Sequence, residues 1–266
     1  MMLKQANTIF AESRKQEIVT DVNDKGEVIV QDLCDKFGVS PATIRNDLNE
    51  LERLGMLLRT HGGAVSNAKA VGFELTSVDK ENHNLAQKRA IARAALRYIK
   101  PGAVIAMDTG TTMLELAKAL KNVIGKVTVI TNDFLIATAL EQNDDITVNL
   151  IGGTVRKGFH CTMGSAVIDA MSKLHIDLAF IATNGMNVER GLSTPNMDTA
   201  NVKHKMIEIA QKRVLVADSS KIGTNALAGF AKLSDMDVII TDDGADEAFV
   251  KEVERNGGTL LRVGVE

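Results

Sequence analysis

Val39-Ser40-Pro41-Ala42-Thr43-Ile44-Arg45-Asn46-Asp47-Leu48-Asn49-Glu50-Leu51-Glu52-Arg53-Leu54-Gly55 decides how the first part of this chain folds. Ser40 carries a side chain that closes a helix N-terminus, and Pro41 takes the first helical position, where its missing N–H costs nothing. Ile44, Leu48, Leu51 and Leu54 then recur at helical spacing as one apolar stripe. Gly55 suits the left-handed residue that ends a helix. Just upstream, Val30–Phe37 reads as a shorter helix, and Gly38-Val39 makes a tight turn between the two. This is the helix-turn-helix pattern, whose second helix enters the major groove of DNA.

The outward side of the second helix carries Ser40, Thr43, Arg45, Asn46 and Asn49, residue types that read base edges or hold phosphates. Beyond Gly55 a short strand, the Gly62-Gly63 tip and a return strand form a wing, with Arg59 and His61 placed to reach phosphates or the minor groove. A first helix over about residues 8–23 brings Arg14 and Lys15 to its surface. The competing reading is an ordinary helical hairpin, and charge speaks for it: residues 1–64 hold 8 Lys+Arg against 10 Asp+Glu. Placement speaks for DNA. Asp21, Asp24, Glu27, Asp32 and Asp35 all precede the reading helix, while Arg45, Arg53 and Arg59 belong to it and its wing.

The chain has 266 residues, 45% of them hydrophobic and 24% charged, enough apolar material for two domains and too much for disorder. A formal net charge of −3 excludes a protein held to nucleic acid by bulk positive charge. Cys34 and Cys161 are far apart in sequence, which excludes a disulfide scaffold and a thiolate zinc site and fits a reducing cytoplasm. The histidines have no metal-ligand spacing. With no signal peptide and no apolar run long enough to span a bilayer, a cytoplasmic protein is expected.

From about residue 88, helical stretches alternate with β-branched runs at 104–107, 127–130, 147–151, 178–181, 214–217, 238–240 and 260–263. That alternation predicts an α/β domain with a mostly parallel sheet. Residues 66–87 read as a linker, which gives domains at 1–65 and 88–266. The first run ends in Asp108-Thr109-Gly110-Thr111-Thr112 and leads into a helix, a turn that offers N–H groups and hydroxyls to an anion, with phosphate the natural guest. It matches neither a Walker A loop nor a dinucleotide fingerprint. Thr131-Asn132, Gly152-Gly153 with Arg156, Thr183-Asn184-Gly185 and Asp218-Ser219-Ser220-Lys221 follow later runs. Ligands bind outside the carboxyl ends of such strands, so these clusters predict a pocket, with Arg156, Lys203 and Lys221 as its cations. A surface position for Lys203 weighs equally.

Residues 14–64 resemble the DNA-binding module of the DeoR family of bacterial transcription regulators. The shared features are Arg14, Ile18, Val28-Ile29-Val30, Phe37-Gly38-Val39-Ser40, Thr43-Ile44-Arg45, Asp47-Leu48, Leu51-Glu52, Gly55 and the wing Arg59-Thr60-His61-Gly62-Gly63-Ala64. Asn46 departs from the second Arg common in the family and points toward adenine contact. The second half is similar to the family's effector domain at Asp108–Thr112, Thr131-Asn132, Gly152-Gly153, Arg156, Gly164, Gly185, Lys203 and 218–223.

The resemblance implies a winged helix-turn-helix joined to an α/β domain like ribose-5-phosphate isomerase, which senses a phosphorylated sugar and needs no cofactor. Gly110, Thr111 and Thr112 would hold the phosphate, Asp108 would accept sugar hydroxyls, and Lys203 and Lys221 would supply charge. The expected partners are operator DNA, bound as a homo-oligomer (dimer or tetramer), and the sugar phosphate. The expected function is repression of a sugar-metabolism operon, with release by the effector.

Two alternatives remain at this level. Asp243-Gly244-Ala245-Asp246-Glu247 spells the catalytic signature of ribose-5-phosphate isomerases, which would make the chain an enzyme with a DNA-binding appendage. It follows the Asp218–Lys221 segment where an isomerase has it before, so it reads instead as an acidic cap on the last helix. The other alternative is a protein–protein adaptor built on a winged helix.

Overall fold

The structure is a computed structural model that describes residues 2–53, 56–66, 74, 76–120 and 125–265, with side chains from Ala11 onward apart from Arg53. Leu54 and Gly55, the expected end of the apolar stripe and its helix stop, lie outside the described residues, as do Asn67 and Gly72 of the expected linker. The chain divides into two compact units, residues 1–79 and 80–266. The division falls inside the stretch read as a linker.

The first unit contains α1 (Met2–Lys25), β1 (Glu27–Ile29), α2 (Val30–Phe37), α3 (Pro41–Arg53), β2 (Leu58–Arg59) and β3 (Gly63–Val65). Ser40 caps α3 as its sequence requires, its Oγ accepting from the Thr43 N–H at 3.2 Å. Gly38 has φ +64°, the left-handed turn that lets α2 stop and α3 start. Ile44 and Leu48 are completely buried against Ile18 and Val22 of α1 and Leu33 of α2, the core of this unit. The wing has one more strand than expected. β3 pairs with β2 and, antiparallel, with β1, giving the order β1-β3-β2. Gly63 is needed there because a Cβ would lie 1.8 Å from the Val28 carbonyl oxygen.

A one-turn helix, α4 (Ser77–Lys80), carries the chain across the division. The second unit continues with α5 (Leu85–Ala95), β4 (Val104–Met107), α6 (Thr111–Leu120), β5 (Val127–Thr131), α7 (Phe134–Leu140) and β6 (Ile146–Leu150). Then come the hairpin β7 (Thr154–Arg156) and β8 (Cys161–Met163), α8 (Ser165–Met171), β9 (Ile176–Ile181), β10 (Gly185–Asn187) and β11 (Gly191–Thr194). The unit closes with α9 (Met197–Ile209), β12 (Ala210–Val216), β13 (Ala228–Ala231), β14 (Val238–Asp242), α10 (Glu247–Arg255) and β15 (Leu260–Val263).

All the β-branched runs join one seven-stranded sheet of order β15-β14-β12-β9-β4-β5-β6, parallel at every pairing. Alternation along each strand sends side chains to two faces. Ile105, Met107, Leu178 and Phe180 meet Ile91, Met113, Leu116 and Ile136 on one side. Ala106, Ala179 and Ile181 meet Val167, Val202, Met206 and Phe249 on the other. The result is three layers, helix on sheet on helix, with a small antiparallel sheet β10-β11-β13 added. From β4 the chain winds outward through β5 and β6, then returns to lay β9 on the other flank of β4. The winding reverses between β4 and β9, and the crevice outside their carboxyl ends is where such sheets bind ligands.

Candidate functional site: a DNA-reading face and an anion crevice

In the first unit, Ser40, Arg45, Asn46 and Asn49 are exposed on α3 and Thr43 is half-exposed, while His61 is exposed at the wing tip. The apolar stripe explains this: with Ile44, Asp47 and Leu48 facing inward, Arg45, Asn46 and Asn49 face out. Arg59 is half-buried, donates to the Gly63 carbonyl at 2.9 Å and lies in the field of Arg45. Its burial, with Arg45 nearby, holds its guanidinium below the ordinary arginine range despite Glu52.

The expectation that α1 presents Arg14 and Lys15 on its surface is corrected. Lys15 is buried and pairs with Glu12 at 2.7 Å and Glu50 at 2.8 Å. Arg14 makes a two-pronged bond to Asp47, at 2.6 and 3.1 Å, with both side chains largely covered. Its guanidinium is committed to α3, so among the residues expected to touch DNA it stands apart: it fixes the angle of the reading helix from behind.

In the second unit the switch point is occupied. Asp108 ends β4 and Lys203 comes from α9; their side chains are 1% and 4% exposed and form an ion pair. Asp108 Oδ2 also accepts from the Ala182 N–H at 2.9 Å, and Lys203 donates to the Ala182 carbonyl at 3.0 Å. Lys203 is therefore a buried partner of Asp108, neither a surface lysine nor a free cation. The pair staples β4, β9 and α9 together, and Asp108 Oδ1 is buried with no hydrogen-bond partner.

The Asp108–Thr112 turn joins β4 to α6. Gly110 has φ +123°, and α6 starts at Thr111 with its first N–H groups facing the crevice end of the sheet. Asp133 supports the turn from β5's end, accepting from the Gly110 N–H at 3.3 Å while capping α7 through Leu135 and Ile136. Burial pushes the Asp133 carboxyl up to about 6 against the pull of these N–H groups. Asn132 donates to the Thr162 carbonyl at 2.6 Å and Thr131 Oγ1 accepts from the Asp133 N–H, so both are structural ties, although Asn132 Oδ1 has no partner. Thr109 is half-exposed and Thr112 buried. Gly153 and Gly185 allow close packing, since a Cβ would meet Val167 Cγ2 at 2.6 Å and the Thr224 carbonyl oxygen at 2.6 Å. Asn184 Oδ1 accepts from Thr194.

On α5, which packs on α6, lies a group that sequence patterning did not single out. Lys88, on the first turn of α5, is 4% exposed, and among the described residues its ammonium bonds a neutral carbonyl, that of Lys80, at 2.5 Å. Burial pulls it down to about 8, with the charges of Asp218, Lys221, Lys80 and Glu115 acting on it. Asn84, immediately before α5, donates to Asp218 Oδ1 at 2.9 Å, which anchors α5's start at the carboxyl end of β12. Asp218 also accepts from Ser220; burial raises its carboxyl, but Lys221, those bonds and Lys88 bring it below the usual range. On the β7–β8 hairpin, the Arg156 guanidinium lies 3.7 Å from the centre of the Phe159 ring, and Lys80 lies 5.6 Å from the same ring. Lys80, Lys88, Arg156 and Lys221 thus gather round one end of the sheet. A lysine in the helical pattern of 85–95 looks like any surface lysine, which is why it was missed; of the charges acting on it, Asp218 and Lys221 follow β12 and Glu115 is on α6, all distant in sequence.

The isomerase-like acids follow β14. Asp243 and Asp246 are exposed, and Asp246 caps α10 by accepting from the Phe249 N–H at 2.7 Å. Among the described residues no group of His, Cys, Asp and Glu could hold a metal ion, and no helix is long and apolar enough to cross a membrane. Cys34 and Cys161 are buried free thiols, and burial raises Cys161 to about 11.

Comparison with known proteins matches residues 14–70 to a DeoR-like helix-turn-helix domain and residues 83–243 to a DeoR C-terminal sensor domain. The chain is 41% identical over 248 residues to the HTH-type transcriptional regulator GlpR of Haloferax volcanii, covering 93% of this chain and 96% of that one. It is 31% identical to the HTH-type transcriptional repressor GlcR of Bacillus subtilis, covering 95% and 96%. Among solved structures, ribose 5-phosphate isomerase A of Methanocaldococcus jannaschii overlaps 52% of this chain and 55% of its own, with a TM-score of 0.40 and 19% identity. The sorbitol operon regulator SorC of Klebsiella pneumoniae overlaps 78% and 88%, with a TM-score of 0.36 and 10% identity. The relatives that match end to end are regulators and not enzymes. A helix-turn-helix that faces outward, a sensor domain with a cationic crevice and these two matched domains together make the chain a DeoR-family transcriptional regulator.

Proposed function

We propose that the protein is a repressor of a sugar-metabolism operon that leaves its operator when a phosphorylated sugar enters the crevice of the second unit. The observation that carries the reading is Lys88: a buried ammonium satisfied by a carbonyl and lying among further cations is arranged for an anion supplied from outside. The phosphate sits at Gly110-Thr111-Thr112 with Lys88 and Lys221, and Lys80 and Arg156 close the rim. Asp218 and Asn184 face sugar hydroxyls. Asp108 and Lys203 hold the crevice in shape.

On the DNA side, Arg45, Asn46 and Asn49 read bases while Ser40, Thr43, Arg59 and His61 hold phosphates. A dimer engages two half-sites, because repeated sites mirror protein symmetry. An effector that prefers the non-binding arrangement by ~100-fold lowers operator affinity by about 2.7 kcal/mol. Calorimetric titration of the full chain with a panel of sugar phosphates tests the crevice. A phosphorylated sugar is expected to bind while its dephosphorylated form does not; equal binding of both would defeat the assignment.

A further inference from the structure

Asp79 is the last residue of the first unit, and its carboxylate holds the DNA-reading wing. Oδ1 accepts from the backbone N–H of His61, at the wing tip, at 2.6 Å. Oδ2 accepts from the Thr76 N–H at 3.0 Å and hydroxyl at 2.7 Å, while Thr76 Oγ1 accepts from the Asp79 N–H at 3.3 Å. This reciprocal cap closes the one-turn helix α4. Lys80, the next residue, opens the second unit, and its carbonyl accepts from the Lys88 ammonium and from the His83 N–H at 3.2 Å. Two adjacent residues therefore end two chains of contact, one inside each unit: wing tip to Asp79, and Lys80 to the buried cation of the crevice.

We infer that Asp79 is a positioning residue for the wing, acting as a latch that the effector opens through Lys88, Lys80 and the peptide bond joining residues 79 and 80. The inference rests on the proposed effector crevice. A phosphate competes for the Lys88 ammonium with a neutral carbonyl, and its full negative charge adds a Coulomb attraction that the carbonyl dipole cannot match. Once the ammonium turns to the phosphate, the Lys80 carbonyl loses the tether that ties it to α5. A single helical turn has almost no stability of its own and depends on such tethers. When α4 loosens, Asp79 no longer holds the His61 N–H, and the wing turn that carries Arg59 and His61 loses its fixed geometry.

The experiment compares wild type with Asp79→Ala and Thr76→Val in the full chain. Operator affinity is measured at constant salt, without and with the sugar phosphate that calorimetry selects from a panel including fructose 1-phosphate and tagatose 6-phosphate. Hydrogen exchange of the wing peptide containing His61 is followed in parallel. In wild type the effector should speed exchange at His61 and weaken operator binding about 100-fold. In Asp79→Ala, exchange should be fast from the start, the sugar phosphate should bind at least as tightly as in wild type, and its effect on operator binding should shrink to below about fivefold. Thr76→Val removes the cap that closes α4 while leaving the Asp79 carboxylate in place, and should reproduce the fast exchange at His61 and the reduced response of Asp79→Ala in weaker form. A full response in Asp79→Ala, or wild-type exchange at His61 unchanged by effector, overturns the latch. If no sugar phosphate affects wild-type operator binding, the effector reading beneath it fails as well.

Discussion

Replacing Lys88 by Met should make the protein more stable and blind to its effector. The magnitude follows from burial. An ammonium pulled from 10.5 to about 8 is disfavoured in the folded state by about 3 kcal/mol at neutral pH, at about 1.4 kcal/mol per pH unit. The bond to the Lys80 carbonyl is lost with the lysine, a loss of about 1.5 kcal/mol for a charged donor, and Met keeps most of the alkyl packing. The net expectation is a gain of about 1–2 kcal/mol, which for a unit of this size raises Tm by about 3–6 °C. The pH dependence supplies the sign. Between pH 8 and 10.5 the unfolded chain holds more protons at this site than the folded one, so this lysine's contribution is present above 10.5 and lost as pH falls through about 8. The stability advantage of Lys88→Met over wild type should therefore be full below pH 8 and shrink as pH rises, giving way to the cost of the lost Lys80 bond near pH 10.5. Calorimetric unfolding across that range reads it, and titration with a sugar phosphate should show affinity down by about 10- to 100-fold. A variant less stable than wild type that still binds the sugar phosphate normally would refute the assignment of Lys88 as a strained anion ligand.

Further predictions follow from other parts of the account. Wild-type affinity for the sugar phosphate should decline as pH rises above about 8, where Lys88 loses its proton, and titrations at pH 7 and 9 check this. Lys203→Met should cost the second unit about 3–5 kcal/mol by stranding Asp108, and adding Asp108→Asn should recover part of that in urea unfolding. Arg14→Ala should weaken operator binding and lower the stability of the first unit together, because it frees α3; a loss of DNA affinity with stability unchanged would return Arg14 to the DNA surface. Arg45→Ala, exposed on α3, should weaken binding without destabilising the fold, and the salt slope decides whether it holds a phosphate or reads a base.

Most of the fold was legible because its signals are local. The Ser40-Pro41 cap, the Ile44-Leu48-Leu51 stripe and the β-branched runs each depend on neighbours within one element. All seven runs became strands of the parallel sheet, and Asp246 caps α10 as its acidic context suggests. What was not legible depends on partners brought together by topology. Nothing near Arg14 announces Asp47, nor does anything near Lys203 announce Asp108; a lysine's spacing does not reveal whether its end reaches water or a carboxylate. The same holds for Lys88, whose charged neighbours Asp218, Lys221 and Glu115 are far away in sequence. The strand β1 was also hidden, because three residues, Glu27–Ile29, are too short for an alternation to register.

The most direct test of the central claim is fluorescence anisotropy on DNA from upstream of the protein's own gene, titrated with a panel of sugar phosphates at fixed salt, since phosphate contacts make affinity steeply salt-dependent. The account predicts specific binding that one phosphorylated sugar weakens and its dephosphorylated form does not. DNA bound only at the non-specific level, together with a sugar phosphate consumed by the protein, would contradict it.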